Sequence, residues 1–223
     1  MTVKSAFRKT ALASGVALFA LAAPTHALDL GAYVELVGSK GVDSTDNYAG
    51  TVEFGLEAEH ESGAYGALIF TSTDLLNESE GELSEIEINA GFAYDISEMI
   101  GVDLGASYYN DTKFTTSRGE GSEAYLGVYS SPVDNLDVSL YFFQSLDTSD
   151  SNYIELEGAY DFDAFDAYAL YTYEMFDGDE VGQSLELGAG KGLSDNTYIN
   201  LAYIADLKKG RNGAFELTWT YSF

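Results

Sequence analysis

Carboxylates spaced two residues apart are the most chemically suggestive feature of this sequence. Such pairs are Glu57 and Glu59, Glu85 and Glu87, and Glu155 and Glu157, and Glu53 shares the face of the first pair. A spacing of two places side chains on the same face of a β-strand, roughly 6–7 Å apart. At that distance the like charges repel each other and favour the uptake of protons or cations. The pattern indicates a surface with one sign of charge, and it does not single out a catalytic pair.

The elements that position these acids are predicted to be β-strands. Thr51–Glu59 and Glu85–Tyr94 alternate between polar and apolar residues without a fault, which is typical of a strand with one apolar face. Helical patterning is absent after residue 27, and no internal domain boundary is evident. We predict twelve strands, at approximately 29–38, 48–60, 64–73, 84–96, 101–110, 121–130, 136–145, 151–162, 165–175, 183–192, 197–206 and 213–223. The facing of the segment 64–73 is left open by its sequence.

The connections between these segments alternate in length. Polar and mostly longer links are predicted at Ser39–Asn47, Asp74–Leu83, Asp111–Glu120, Leu146–Asp150, Phe176–Gly182 and Leu207–Asn212. Tight links are predicted at Glu61–Gly63, Ser97–Ile100, Ser131–Asn135, Asp163–Ala164 and Leu193–Asn196. An even strand count with short turns at one rim and longer loops at the other is typical of an outer-membrane β-barrel. We therefore predict an all-β fold, a transmembrane antiparallel up-and-down barrel.

The apolar face is predicted to contact lipid. Its aromatic residues fall toward the two rims, as Tyr108 and Phe215 do at one and Tyr94 and Phe165 at the other, whereas aliphatic residues dominate between them. Two aromatic girdles around an aliphatic band are expected on a lipid-facing barrel surface. A soluble barrel, with its apolar side inward, would give the same alternation without this clustering by depth.

With the apolar face outward, the acids point into the lumen. The predicted pore-lining acids are Glu35, Glu53, Glu57, Glu85, Glu87, Asp103, Glu123, Glu155, Glu157, Asp166, Glu174, Glu186 and Glu216. No Lys or Arg shares this face, apart from a doubtful rim position at Lys191. Inward tyrosines are expected to narrow the passage at Tyr33, Tyr109, Tyr125, Tyr129, Tyr141, Tyr153, Tyr168 and Tyr198. An acidic lumen concentrates cations and rejects anions.

The first 27 residues are predicted to be a secretory signal peptide. Lys4, Arg8 and Lys9 precede a mostly apolar run from Ala11 to Ala23, and Thr25-His26-Ala27 offers a small-residue cleavage pattern. The domain organisation is thus a signal peptide at 1–27 followed by a barrel domain at 28–223. The run is short for a membrane-spanning helix, which needs about 20 residues.

Composition excludes several functions. Ten Lys and Arg against 37 Asp and Glu give a net charge of -27, so nucleic-acid binding, which relies on basic contacts to phosphate, is not expected. The sequence contains no Cys, which rules out disulfides and thiolate metal sites. We predict neither a metal site nor a cofactor. Asp147–Ser151 and Asp177–Glu180 offer oxygen ligands but lack the twelve-residue calcium-loop pattern.

The protein is not expected to be an enzyme. Catalysis by a barrel would need a His near Ser or Asp, and after residue 27 the sequence has one His, His60, placed at the short-turn rim. Lys208, Lys209 and Arg211 cluster in the last long link. They could meet the phosphates of lipopolysaccharide, although a solvated loop is the simpler reading.

In its last strand, residues 215–223, and in residues 101–109 and 156–161, the sequence resembles the Gram-negative porin superfamily. The segment Phe215-Glu-Leu-Thr-Trp-Thr-Tyr-Ser-Phe223 resembles the C-terminal strand of outer-membrane barrels, with Phe215, Leu217, Trp219, Tyr221 and Phe223 as the assembly signal. Residues 101–109 and 156–161 resemble strands of acidic α-proteobacterial porins. The resemblance implies secretion to the periplasm, recognition by the barrel assembly machinery and residence in the outer membrane beside lipid and lipopolysaccharide. This chain is too short for the sixteen strands usual in those porins, so twelve-stranded channels are the closer comparison.

Three readings of function remain open. The first is a porin-like channel for passive diffusion of small cationic or neutral solutes through the acidic lumen. The second is a non-conducting structural or adhesive barrel with a filled lumen, and the third is a soluble periplasmic binding protein. A channel would conduct ions. A structural or adhesive barrel would not conduct ions and would instead bind a partner through its loops, and a soluble binding protein would remain in solution without detergent.

Overall fold

The computed structural model describes residues 28–42, 48–73, 83–111, 120–147, 151–176, 179–208 and 213–223. The predicted signal peptide lies outside these residues. So do parts of the longer links, including Lys209 and Arg211 and most of the two acidic segments considered above as calcium loops.

The described chain forms twelve β-strands. They are β1 (Leu28–Gly41), β2 (Tyr48–His60), β3 (Ala64–Thr73), β4 (Leu83–Asp95), β5 (Ile100–Asp111), β6 (Glu120–Val133), β7 (Leu136–Ser145), β8 (Ser151–Asp161), β9 (Asp166–Phe176), β10 (Asp179–Ser194), β11 (Thr197–Asp206) and β12 (Ala214–Ser222). Each strand pairs antiparallel with its neighbours in sequence, and β1 pairs with β12 to close the barrel. The predicted fold class and strand number are confirmed. In the described ranges no helix is long and apolar enough to cross a membrane.

Strand register divides the side chains between two faces. Glu35 of β1 is the partner of Glu53 on β2 and of Thr220 on β12. Because neighbours in register share a face, the acidic positions of successive strands are aligned around one surface of the sheet. The adjacent positions Leu36 and Phe54 lie on the opposite face, where they are exposed.

The orientation of β3, which the sequence left open, follows from its register. Tyr65, Ala67 and Ile69 share the acidic face, since Ala67 pairs with Glu57 and Ile69 with Glu87. Ala67 and Ile69 are almost fully buried, at 1% and 2% exposure, whereas the outward Phe70 is 40% exposed. Apolar residues on both faces of β3 explain why alternation could not orient it.

Tight turns at one rim need unusual backbone angles. Gly63, Asn135 and Asp163 have φ values of 92°, 66° and 64°, in the left-handed region that Gly, Asn and Asp tolerate best. At Gly63 a side chain would also meet the carbonyl oxygen of Ala93 on the neighbouring hairpin. Both the positive φ and this close contact therefore favour glycine at this position.

Several strands extend beyond their predicted limits. The segment predicted at 29–38 is part of β1, which reaches Gly41, and the segment at 183–192 lies within β10, Asp179–Ser194. Backbone hydrogen bonding continues where the polarity pattern has ended, as at Lys40 and Gly41, which pair with Phe215 and Ala214. Register shifts occur near the ends of β6 and β10, between Ser130 and Val133, Glu180 and Gly182, and Gly192 and Ser194.

An exposed apolar belt surrounds the barrel. Large side chains of eight strands are about half exposed on the outer face, among them Leu56, Leu104, Leu126, Leu140, Leu156, Leu187, Leu201 and Leu217. At the short-turn rim, Phe162 stacks on Phe165 with a centroid separation of 4.9 Å and meets Tyr160 in a tilted contact at 4.6 Å. At the other rim, Tyr203 packs on Phe215 at 5.1 Å. A continuous apolar surface this large requires a lipid environment.

Candidate functional site

The surface opposite the belt faces the lumen and carries the acids. By register and alternation, the structure places all thirteen predicted positions on this inner face: Glu35, Glu53, Glu57, Glu85, Glu87, Asp103, Glu123, Glu155, Glu157, Asp166, Glu174, Glu186 and Glu216. Most of them are partly exposed to solvent inside the barrel; Glu174 is exposed and Glu157 is buried. Their role as pore-lining groups stays a prediction.

The described strands place no basic side chain on the inner face. Lys191, the doubtful position in the sequence, pairs with Ile199 on the outer face and is exposed. Lys40 pairs with Phe215, likewise on the outer face. In the described part of the chain the lumen wall therefore has charge of one sign.

Inward tyrosines lie against the wall of the barrel. The ring of Tyr33 occupies the space where a side chain at Gly55 would stand, and the ring of Tyr168 covers Gly188 in the same way. The other pairs of covering tyrosine and covered glycine are Tyr65 and Gly91, Tyr125 and Gly105, Tyr129 and Gly101, Tyr109 and Gly121, Tyr141 and Gly127, and Tyr198 and Gly190. The expected narrowing of the lumen by these tyrosines is thus reduced, because the glycines let the rings lie close to the backbone.

Inward tyrosines also hold many of the carboxylates. Tyr33 donates a hydrogen bond to Glu53 at 2.6 Å, Tyr153 to Glu123 at 3.0 Å and Tyr168 to Glu186 at 2.5 Å. Tyr198 donates to Asp166 and Tyr129 to Asp95. A phenol hydroxyl donates a hydrogen bond to a carboxylate but does not neutralise its charge. The tyrosines therefore hold the acidic side chains in place while the wall stays negatively charged. The sequence showed both residue types on one face but gave no sign of their pairing.

A network of hydroxyl groups surrounds Asp103. Tyr65 on β3 and Tyr141 on β7 both donate to its carboxylate, the second at 3.1 Å. Tyr65 also lies 2.6 Å from the hydroxyl of Tyr125 on β6. Next to this network, Phe143 and Tyr153 stack with their ring centroids 4.3 Å apart and their planes 7° from parallel. Hydrogen bonds and ring stacking therefore connect the inner side chains of β3, β5, β6, β7 and β8.

Other acids are held by smaller polar groups. Thr220 donates to Glu35 at 2.8 Å, Asn89 donates to Glu87 at 3.0 Å and Thr71 donates to Glu53 at 3.3 Å. Asn89 is completely buried. In contrast, Oε1 of Glu157 is buried without a hydrogen-bond partner. Since an unpaired buried charge is costly, Glu157 is the acid with the greatest need for water, a proton or a cation.

His60 is part of a turn. Its Nδ1 accepts a hydrogen bond from the backbone N–H of Ser62 at 3.1 Å and lies 2.8 Å from the Ser62 hydroxyl. Its Nε2 is buried and has no hydrogen-bond partner. Within the described ranges no group of three or more His, Cys, Asp or Glu has a geometry that could hold a metal ion.

The residues of the predicted assembly signal lie on the outer face of β12 and at its end. Phe215 and Leu217 are 52% and 50% exposed, and Phe223 is 76% exposed. Trp219 stacks on Tyr221, and Tyr221 meets Phe223 edge to face at 4.9 Å. The backbone N–H of Phe223 donates to Ala32 of β1 at 2.8 Å, so the segment is fixed by its backbone and its side chains remain available outside the barrel.

Fold and wall together define a closed twelve-stranded membrane barrel with an acidic, tyrosine-supported lumen. No protein-family model and no curated protein matches the sequence. Solved porin structures do match the fold. The KdgM porin has a TM-score of 0.66 at 11% identity, with 86% of this chain and 99% of that chain covered. The NanC porin has a TM-score of 0.62 at 11% identity, covering 84% and 98% of the two chains.

A mutant of the porin of Rh. blastica gives a TM-score of 0.51 at 11% identity, covering 88% of this chain and all of that chain. The chain therefore has a porin-like fold, a closed twelve-stranded antiparallel β-barrel. This likeness and the exposed apolar belt agree with the predicted location in the outer membrane. At this identity the comparisons concern architecture, and the solute has to be argued from the chain's own lumen.

Proposed function

We propose that the protein is an outer-membrane channel for passive diffusion of small solutes that are preferentially cationic or neutral. The observation that carries the proposal is the single sign of charge on the inner face of the described strands. Carboxylates around a water-containing lumen raise the local cation concentration and repel anions. The partial exposure of Glu35, Glu53, Glu155 and Glu186 supports contact between these groups and lumenal water.

Another porin of this fold provides an informative contrast. One KdgM structure, with a TM-score of 0.64 to this chain at 12% identity, is a complex with disordered oligogalacturonate. That ligand is a polyanion, which an acidic wall would repel. We therefore expect that oligogalacturonate neither blocks nor crosses this barrel, whose proposed solutes are cationic or neutral.

Reversal potentials in planar bilayers test this function. The folded protein is measured in a gradient of KCl, and we expect a potential of the sign given by preferential K⁺ flux. The variant Glu155→Gln/Glu157→Gln/Glu186→Gln removes three lumenal carboxylates and should lower the cation preference. The matched control Glu98→Gln/Asp134→Asn/Asp195→Asn removes three exposed acids at the periplasmic turns and should retain most of it.

Anion preference in the parent protein would overturn the proposed selectivity. Absence of conductance would favour a second candidate, a non-conducting barrel with a filled lumen. The burial of several inward side chains supports that candidate, since Ala67, Ile69, Ser107, Ser139 and Phe143 are each at most 6% exposed. A small test solute distinguishes the two, because proteoliposomes with the channel should release a neutral sugar and those with a filled barrel should retain it.

A further inference from the structure

A groove on the lipid-facing surface is independent of the lumen. It has a volume of about 310 Å³ and lies where β1, β2, β11 and β12 meet. Gly38 and Gly50 form its floor, as direct partners in the β1–β2 register. Leu36, Val52, Leu217 and Trp219 are among the residues that line it. The groove exists because two outward positions that would normally carry side chains are both glycine.

The groove has a defined depth in the belt. Gly38 pairs with Leu217 on β12, two positions from Phe215, which packs against Tyr203 at the long-loop rim. In the porin fold this rim is extracellular. The groove therefore opens just below the outer aromatic girdle, at the depth where the acyl chains of an outer-leaflet lipid begin.

A lysine lies beside the groove on the side of the lipid head groups. Lys40 follows Gly38 by two residues, is on the same outer face and is exposed. Two residues along a strand span roughly 6–7 Å, so the ammonium group lies within reach of a head group whose acyl chain occupies the groove. In a protein with net charge -27, this outward lysine, which also interacts within the chain, places a positive charge on the head-group side of the groove.

We propose that this groove binds the lipid A portion of lipopolysaccharide, with an acyl chain over Gly38 and Gly50 and a phosphate beside Lys40. Lipid A combines phosphate groups with several acyl chains and occupies the outer leaflet, on the side to which the groove opens. Within a bilayer, close van der Waals contact at small residues supplies the attraction that hydrophobic burial supplies in water. The lysine adds an attraction that depends on charge.

Native mass spectrometry of the detergent-solubilised barrel, titrated with lipid A, tests the proposal. Gly38→Leu places a side chain in the groove, and a Cβ atom at this position meets no other atom within 4 Å, so the substitution is not expected to disturb the backbone. We expect lipid A binding to fall at least tenfold. Lys40→Glu should weaken binding about fivefold or more, the effect of one basic residue near a membrane surface. Lys40→Arg should retain it.

Two matched controls come from the same chain. Gly158 also faces outward in open space, so Gly158→Leu adds the same side chain to another part of the belt and should leave binding unchanged. Lys191 is an exposed outward lysine at the opposite rim, and Lys191→Glu should likewise have no effect.

Other occupants of the groove give other results. Equal affinity for phosphatidylglycerol would overturn the assignment to lipid A, and saturation by inorganic phosphate alone would exclude a role for the groove. Binding that survives both Gly38→Leu and Lys40→Glu would also overturn it. A dimer or trimer of the parent protein that dissociates in Gly38→Leu would assign the groove to a second copy of the chain. None of these results depends on whether the lumen conducts.

Discussion

The hydroxyl oxygens of Tyr65 and Tyr125 lie 2.6 Å apart although 60 positions separate the two residues. The direction of this hydrogen bond follows from a third group. Tyr65 gives its one hydroxyl proton to Asp103, so Tyr125 must be the donor to Tyr65. Tyr141 donates to the same carboxylate. Tyr125 on β6 thus donates to Tyr65 on β3, and Tyr65 donates in turn to Asp103 on β5.

The order of donors predicts unequal effects of removing each hydroxyl. Tyr65→Phe deletes the central link and should lower the free energy of unfolding by about 1.5–3 kcal/mol, the range for hydrogen bonds to charged groups. Tyr125→Phe removes a neutral bond and should cost about 0.5–1.5 kcal/mol. In the double variant the losses should not add, because the Tyr125 bond has no acceptor once the Tyr65 hydroxyl is gone.

Urea unfolding in lipid vesicles measures these differences. Tyr160→Phe serves as the control, since Tyr160 is on the outer face. Full additivity of the two inner substitutions would contradict a stabilising hydrogen bond between the two hydroxyl groups.

The contact between Tyr33 and Gly55 predicts a steric effect. Any side chain at Gly55 would collide with the ring of Tyr33, and the ring could only move toward the lumen, away from Glu53. We expect Gly55→Leu to destabilise the barrel by about 1–3 kcal/mol, as overpacking does in other proteins, and to reduce conductance. Gly158→Leu on the outer face should change stability by no more than about 0.5 kcal/mol. Equal stability of the two variants would argue against the close packing of ring and backbone.

Ionic strength should change the selectivity of the channel. The carboxylates act on passing ions through an electric field whose range is about 10 Å in 0.1 M salt and about 3 Å in 1 M salt. Reversal potentials measured at a fixed concentration ratio should therefore show a strong preference for K⁺ in dilute KCl and a weak one near molar KCl. A preference that stays constant across this range would contradict selection by the screened field of the carboxylates.

Phe223 should matter for assembly more than for stability. Its side chain is 76% exposed, and its backbone bond to Ala32 does not depend on the ring. Phe223→Ala is expected to leave the free energy of unfolding within about 0.5 kcal/mol, while the amount of folded barrel in the outer membrane decreases. Fractionation with a heat-modifiability gel measures the second effect.

Phe165→Ala is the control, because Phe165 is exposed at the same rim but lies outside the C-terminal strand. An equal loss of folded barrel in both variants would show that the terminal position has no special role in assembly.

Polarity and turn chemistry predict the fold of this chain almost completely. Strict alternation in strands such as β2 and β4 fixes which residues face lipid, and the tight turns at Gly63, Asn135 and Asp163 carry residues that tolerate positive φ. The exceptions have physical causes. Ala67 and Ile69 are apolar on the inner face of β3, and β1 continues through Lys40 because pairing with β12 needs no particular side chain.

The inner wall is less predictable from sequence. Alternation identifies Tyr33 and Glu53 as inward, but only the register between β1 and β2 sets the ring over Gly55 and the hydroxyl on Glu53. The lack of a partner for Oε1 of Glu157 is likewise a property of packing. The groove at Gly38 and Gly50 depends on two glycines twelve residues apart meeting in register, which neither segment reveals alone.

Closure of the barrel between β1 and β12 has a consequence for folding kinetics. Every other pairing joins strands that are consecutive in the sequence, so hairpins can form with short loops and a small entropic cost. Closure instead pairs the first strand with the last, as in the pairs Tyr33 with Ser222 and Gly41 with Ala214. This seam is expected to form last and to open first, so substitutions along it should act mainly on the unfolding rate.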